Sequence, residues 1–112
     1  MTSEEYCELA MRMAPRVERL SDAYVVGALG AADEAGEVAG LIKKHVFHGH
    51  PLDTVKLLKE IGDVLWYLNL LAALCGQDLG DVMEMNIAKL SARYPEGFFS
   101  TERSMNRAPG DV

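Results

Sequence analysis

The sequence predicts an all-α protein. Apolar residues recur at three- and four-residue steps, no segment alternates apolar with polar, and Gly or Pro interrupts the chain at helix-length intervals. The connections are short enough for antiparallel neighbours. The expected architecture is therefore an antiparallel helical bundle of about four helices, completed by oligomerisation.

Each element has its own signals. Ser3, followed by Glu4 and Glu5, reads as a helix start that places acids in the first turn. This first helix carries Tyr6, Leu9, Ala10 and Met13 and stops near Ala14, because Pro15 cannot continue it. Ser21-Asp22 is expected to cap a second helix running to about Val46, with Val25, Val26, Leu29, Ala32, Val38 and Ile42 at helical spacing. His48-Gly49-His50-Pro51 breaks it. Asp53-Thr54 caps a third helix to about Leu74, apolar almost all round near its end, which predicts burial on several sides. Gly76 ends that helix, and Asp78 to Asp81 opens a fourth that stops before Pro95. Residues 96–112 contain turn formers and the pair Phe98-Phe99 but no periodicity. They are expected to form an extended tail, docked by its aromatics, on a single domain spanning residues 1–112.

Composition narrows the function. With 49% hydrophobic and 25% charged residues the chain has ordinary globular usage. The net charge of −6 argues against nonspecific binding of nucleic-acid polymers, which needs a basic footprint. It leaves nucleotides open, because divalent cations reverse the local sign. The N-terminus lacks the pattern of a secretory leader, and Val64 to Cys75 is too short to span a bilayer. A soluble cytoplasmic protein is the default. Cys7 and Cys75 both sit in apolar helical patterns and read as small hydrophobes.

Two short acidic signatures stand out, Glu34-Ala35-Gly36-Glu37 and Glu60-Ile61-Gly62-Asp63. Residues three apart lie about 60° apart around a helix, so each helix shows one paired-acid edge beside its apolar face. Two antiparallel helices facing each other would bring Glu34, Glu37, Glu60 and Asp63 into one pocket. Such a cluster repels itself unless cations join it. Oxygen ligands favour Mg²⁺ or Mn²⁺. A di-iron bundle would want Glu-x-x-His, and neither pair has its histidine. The competing reading is plain helix-surface acids, in a chain holding 17 acidic residues. Gly36 and Gly62 cost roughly 1 kcal/mol each inside a helix relative to Ala, which close helix approach or room for a ligand would offset.

Other groups carry weaker signals. His45, His48 and His50 suggest zinc less simply than they suggest the end of a helix. Asn86, Lys89 and Arg93 share one face of the fourth helix, as a solvated polar face or as a phosphate clamp of point charge and fork. Trp66 and Tyr67 suit core packing better than base stacking.

Taken together, the two acidic pairs and Asn86-x-x-Lys89-x-x-x-Arg93-Tyr94-Pro95 resemble the MazG-like, all-α nucleoside triphosphate pyrophosphohydrolases. The resemblance runs from about Leu29 to Pro95. It implies that Glu34, Glu37, Glu60 and Asp63 ligate Mg²⁺, that Lys89 and Arg93 hold the triphosphate with Asn86 near the sugar or base, and that Lys56 contacts phosphate. Many members carry a further Glu where this chain has Asp33, which keeps the charge with a shorter reach and is expected just outside the ligands. The resemblance also implies a homodimer or homotetramer. The implied reaction is hydrolysis of a (deoxy)nucleoside triphosphate to monophosphate and pyrophosphate, with Glu37 orienting the attacking water. A reading from another class is a non-catalytic helical oligomerisation or partner-binding module that treats the acids as surface decoration.

Overall fold

The computed structural model describes residues 1–112 and contains helices only. In order they are α1 (Ser3–Met11), α2 (Leu20–His48), α3 (Thr54–Leu74), α4 (Leu79–Arg93) and α5 (Thr101–Met105). The all-α expectation holds, with α5 as the helix that periodicity did not announce. The chain forms two compact units, Met1–Leu79 and Gly80–Val112.

In the first unit α2 and α3 form an antiparallel hairpin. As residue numbers rise along α2 they fall along α3: the Tyr24 hydroxyl donates to the Leu74 carbonyl, Gly27 meets Leu71, and Gly30 meets Tyr67. The two glycines set this approach. A Cβ on Gly27 would lie 2.6 Å from Leu71 Cδ2, and one on Gly30 would overlap the Cδ1–Cε1 edge of the Tyr67 ring. Gly36 and Gly62 have open space where a Cβ would project, so close approach within this chain is not what they serve.

Local chemistry explains the helix ends. Thr2, not Ser3, caps α1: its hydroxyl accepts from the Glu5 N–H while the Glu5 carboxylate accepts from the Thr2 N–H, a reciprocal capping box. Nor do Ser21-Asp22 cap α2, which begins at Leu20 after Arg19 with no side-chain cap. The Arg19 guanidinium instead donates to the Asp22 carboxylate at 3.3 Å. At the other end Gly49 turns left-handed at φ 70°, so that its N–H and that of His50 both donate to the Lys44 carbonyl. Asp53 caps α3 as expected, accepting from the Lys56 N–H at 3.0 Å. The left-handed Gly76 follows the end of α3.

α1 packs on α3, and the Trp66 indole donates to the Ala10 carbonyl at 3.3 Å. Trp66 and Tyr67 meet edge to face with ring centres 5.0 Å apart and are both half-buried, packed on one side and open to a cleft on the other. The buried apolar residues are few: Ala10, Leu70 and Ala72. Beside them Asn69 is completely enclosed, and its side-chain amide has no hydrogen-bond partner. Burial of α3 on several sides is not met within one chain. Ile61, Leu65 and Leu68 remain 40–45% exposed, because α1 and α2 leave that side uncovered. Cys75 is exposed as well, contrary to its apolar pattern, since it falls just beyond the last turn of α3.

The second unit holds the rest of α4, a turn at Gly97 with φ 87°, and α5. The expected extended tail is corrected here. Ser100 caps α5 by accepting from the Arg103 N–H at 3.1 Å, a local signal with no apolar period to accompany it. Phe99 reaches the Tyr94 ring, centres 5.5 Å apart, yet both Phe98 and Phe99 stay largely exposed. No helix is long and apolar enough to cross a membrane.

Candidate metal centre

The antiparallel register that pairs Gly30 with Tyr67 brings Glu34, one turn on along α2, level with Glu60 and Asp63 of α3. One carboxylate oxygen from each of the three lies within 4.8 Å of the others. Glu34 and Glu60 are half-buried and Asp63 is exposed. Three of the four expected ligands therefore converge. Glu37 is exposed, one turn further along α2, and stands outside this group.

The electrostatics follow from the geometry. Burial pushes the Glu34 carboxyl up from its ordinary range, and the like charges of Asp63, Asp33, Glu60 and Glu37 add to the rise. None of Glu34, Glu60 and Asp63 takes part in the ion pairs that join Arg12 to Glu8, Arg19 to Asp22, Arg93 to Asp111 and Arg103 to Glu96. A donor set of clustered carboxylates with no cationic side chain paired to it is what a hard divalent cation fits. The three histidines do not join it. His45 Nδ1 is 2.8 Å from the His50 carbonyl and so closes the end of α2, the simpler of the two readings. Neither the zinc nor the Glu-x-x-His iron alternative finds its ligands in this cluster.

Glu34 and Asp63 also line a cleft of about 420 Å³, walled by Met13, Pro15, Val26, Trp66 and Tyr67. Sequence reading treated Pro15 only as a stop signal; here it walls the acidic site, on a segment that periodicity could not place. Tyr6 of α1 is a second residue missed. Its phenol is pushed up first by burial and then by the charge of Asp63, so α1 brings a protonated hydroxyl under the influence of the acids. Its apolar spacing in the sequence concealed this.

The residues expected to hold substrate are more dispersed. Lys56 lies one turn before Glu60 on α3 and is exposed; Asn86 is exposed on α4. Lys89 and Arg93 line one cavity of the second unit, about 330 Å³, together with Arg103 and Arg107. Lys89 is exposed there. Arg93 is not free: its guanidinium grips the Asp111 carboxylate through Nε at 2.9 Å and Nη2 at 2.7 Å, with only 9% of its side chain exposed.

A comparison with family models decides the ancestry. The model described as the MazG nucleotide pyrophosphohydrolase domain matches residues 28–98, well over half of the chain. The chain belongs to the MazG family. Searches of curated proteins and of solved structures found no match. The matched region of this MazG domain spans both acidic pairs and the whole of α4, and begins after α1. Divalent metals are typical of MazG enzymes, and the acidic cluster is a place that could hold one.

Proposed function

We propose that the chain hydrolyses (deoxy)nucleoside triphosphates to the monophosphate and pyrophosphate, in control or clearance of a nucleotide pool. The observation that carries this reading is the convergence of Glu34, Glu60 and Asp63 inside a matched MazG nucleotide pyrophosphohydrolase domain. Glu34, Glu60 and Asp63, with Glu37 joining from the next turn, would hold Mg²⁺, with Mn²⁺ as a substitute. Bound there, a divalent cation supplies charge neutralisation on the phosphates and lowers the pKa of water. The chain's own residues do the rest. Glu37, exposed and beside the cluster, orients the attacking water as its proton acceptor. Lys89 and Arg93 neutralise phosphate oxygens, Lys56 adds a charge, and Asn86 serves the sugar or base. The aromatic wall of the cleft beside Glu34 and Asp63 offers a base a surface to lie against.

The active form is proposed to be a homodimer or homotetramer. Support comes from the apolar strip of Ala35, Val38, Ile61, Val64, Leu65 and Leu68, which one chain leaves facing water. That strip alone would equally suit a non-catalytic oligomerisation module, so turnover is the deciding measurement. A panel of ribo- and deoxynucleoside triphosphates, incubated with Mg²⁺ or Mn²⁺ and resolved by product, should yield monophosphate plus pyrophosphate from at least one substrate, abolished by a chelator. No turnover with either metal would overturn the hydrolase reading in favour of the module.

A further inference from the structure

This chain carries a net charge of −6, yet Lys89, Arg93, Arg103 and Arg107 all line the cavity of the second unit. Their spacing explains the gathering: Lys89 and Arg93 sit one turn apart on α4, and Arg103 and Arg107 lie one helical step apart on and just after α5. The single anion lining the cavity is Asp111. It reaches Arg93 by a local device. Gly110 is left-handed at φ 84°, and the Asp111 N–H donates to the Ala108 carbonyl at 3.1 Å, a turn that aims the carboxylate back at α4. Arg93 Nη2 also donates to the Val112 carbonyl at 3.4 Å.

The Arg93–Asp111 contact is a two-point fork, the geometry in which a guanidinium takes two oxygens of a phosphate. The positive field around it exceeds what one carboxylate needs. Asp111 is held below the usual carboxylate range chiefly by the Arg93 hydrogen bond, against the cost of burial, and the charges of Arg107 and Lys89 act on it too. Arg103 is engaged with Glu96 at 2.7 Å, but both side chains are about half exposed, so that pair is weakly held. A single carboxylate thus occupies a cavity whose cations suit an anion of higher charge. The volume, about 330 Å³, is at the small end of ligand sites and suits a chain of two or three phosphates.

We propose that this cavity is a polyphosphate site held shut by its own Asp111 carboxylate, which an incoming triphosphate or pyrophosphate displaces from Arg93. Arg103 and Arg107 then become phosphate contacts, and the turn at Gly110 acts as an internal competitor of the ligand. The inference rests on the reading above, which gives Lys89 and Arg93 to phosphate, and adds to it Asp111 as the internal competitor and Arg103 and Arg107 as further contacts.

The test is calorimetric binding of inorganic tripolyphosphate and of pyrophosphate to the full chain without divalent metal. In Asp111→Asn the carbonyl still accepts from Arg93 but the charge is gone, and tripolyphosphate should bind about tenfold more tightly than to wild type. Gly110→Ala, which strains the turn that presents Asp111, should tighten binding in the same direction and serves if Asp111→Asn folds poorly. Arg107→Gln should weaken it. Unchanged or weaker binding in both folded Asp111→Asn and Gly110→Ala would overturn the proposal and leave Asp111 as a clamp for Arg93. The source of the phosphate follows from a second arm. A lower KM for nucleoside triphosphate in Asp111→Asn assigns the cavity to the substrate, whereas tighter tripolyphosphate binding with an unaltered KM assigns it to free pyrophosphate. Since the binding arm needs neither metal nor turnover, tighter binding without turnover supports this inference while the hydrolase reading fails. Turnover with unaltered binding does the reverse.

Discussion

The two charged regions of this chain solve the same problem in opposite ways. In the first unit Glu34, Glu60 and Asp63 are gathered with no cationic partner, and Glu34 is driven towards its protonated form. In the second unit Lys89, Arg93, Arg103 and Arg107 are gathered around a carboxylate that the chain itself supplies. Like charges drawn together raise the energy of the fold, and the cost is relieved by titration, by an external counter-ion or by an internal one. The acidic region has no cationic side chain paired with it, whereas the basic region carries its own counter-ion. If the acidic trio holds a divalent cation as proposed, the first should respond to added ions in stability, and the second should respond to loss of Asp111.

The largest effect that could break this comparison is on turnover. Glu60→Gln and Asp63→Asn should each lower pyrophosphate release on the order of 100-fold or more, at least what disturbing the surroundings of a metal site costs. Circular dichroism should show the helices retained. Glu37→Gln should lower activity while leaving metal affinity closer to wild type, because Glu37 stands outside the converged trio. Undiminished activity in all three would remove the acidic site.

The next effect is thermodynamic. Mg²⁺ at a hundredfold excess over its dissociation constant should stabilise wild type by about 2.7 kcal/mol, read as a rise in Tm. Glu60→Gln should lose most of that rise. An equal rise in both would place the ion elsewhere.

Packing around the acidic site gives a third contrast. Gly30→Ala forces a methyl into the Tyr67 ring and should destabilise the fold by about 1–3 kcal/mol despite a helix-propensity gain. Gly36→Ala and Gly62→Ala meet open space and should be neutral or stabilising by up to roughly 1 kcal/mol in the isolated chain. Chemical denaturation measures all three. A marked loss at Gly36 or Gly62 would show that a second copy or a ligand fills that space.

The smallest effect sharpens the other side of the comparison. The folded state depresses the Asp111 carboxyl, so its stabilising contribution is present above the unfolded value, about pH 4, and is lost as pH falls through the lower folded value. The Tm difference between wild type and Asp111→Asn should therefore be constant at neutral pH and shrink in acid. A difference independent of pH would mean that shape, not charge, holds the turn.

Much of this was legible in the chain itself, residue by residue. Asp53 and Gly76 announced the ends of α3, and the i, i+3 spacing placed Glu60 with Asp63 on one edge. These are local signals, set by one turn of helix. The misreadings were of two kinds. Thr2 displaced Ser3 as a cap because the reciprocal bond to Glu5 needs a three-residue step, and α5 went unseen because five residues are too few to show a period. For Gly36 and Gly62 close helix approach and room for a ligand were both open; Gly27 and Gly30 make the close approach within this chain, since nothing along a single helix says which of its glycines faces a neighbour.

By itself, then, the sequence determined the four longer helices, the acidic pairs and the family to which they belong, because periodicity, capping and motif spacing act over a few residues. Tertiary structure decided the rest. It set the register that brings Glu34 to Glu60 and Asp63 while leaving Glu37 outside, the approach of Pro15 and Tyr6 to the acids, and the return of Asp111 to Arg93 across 18 positions. Those contacts join residues far apart along the chain. Their partners are chosen by how helix faces interlock and where a turn aims a side chain, and neither is written in the spacing of any one segment.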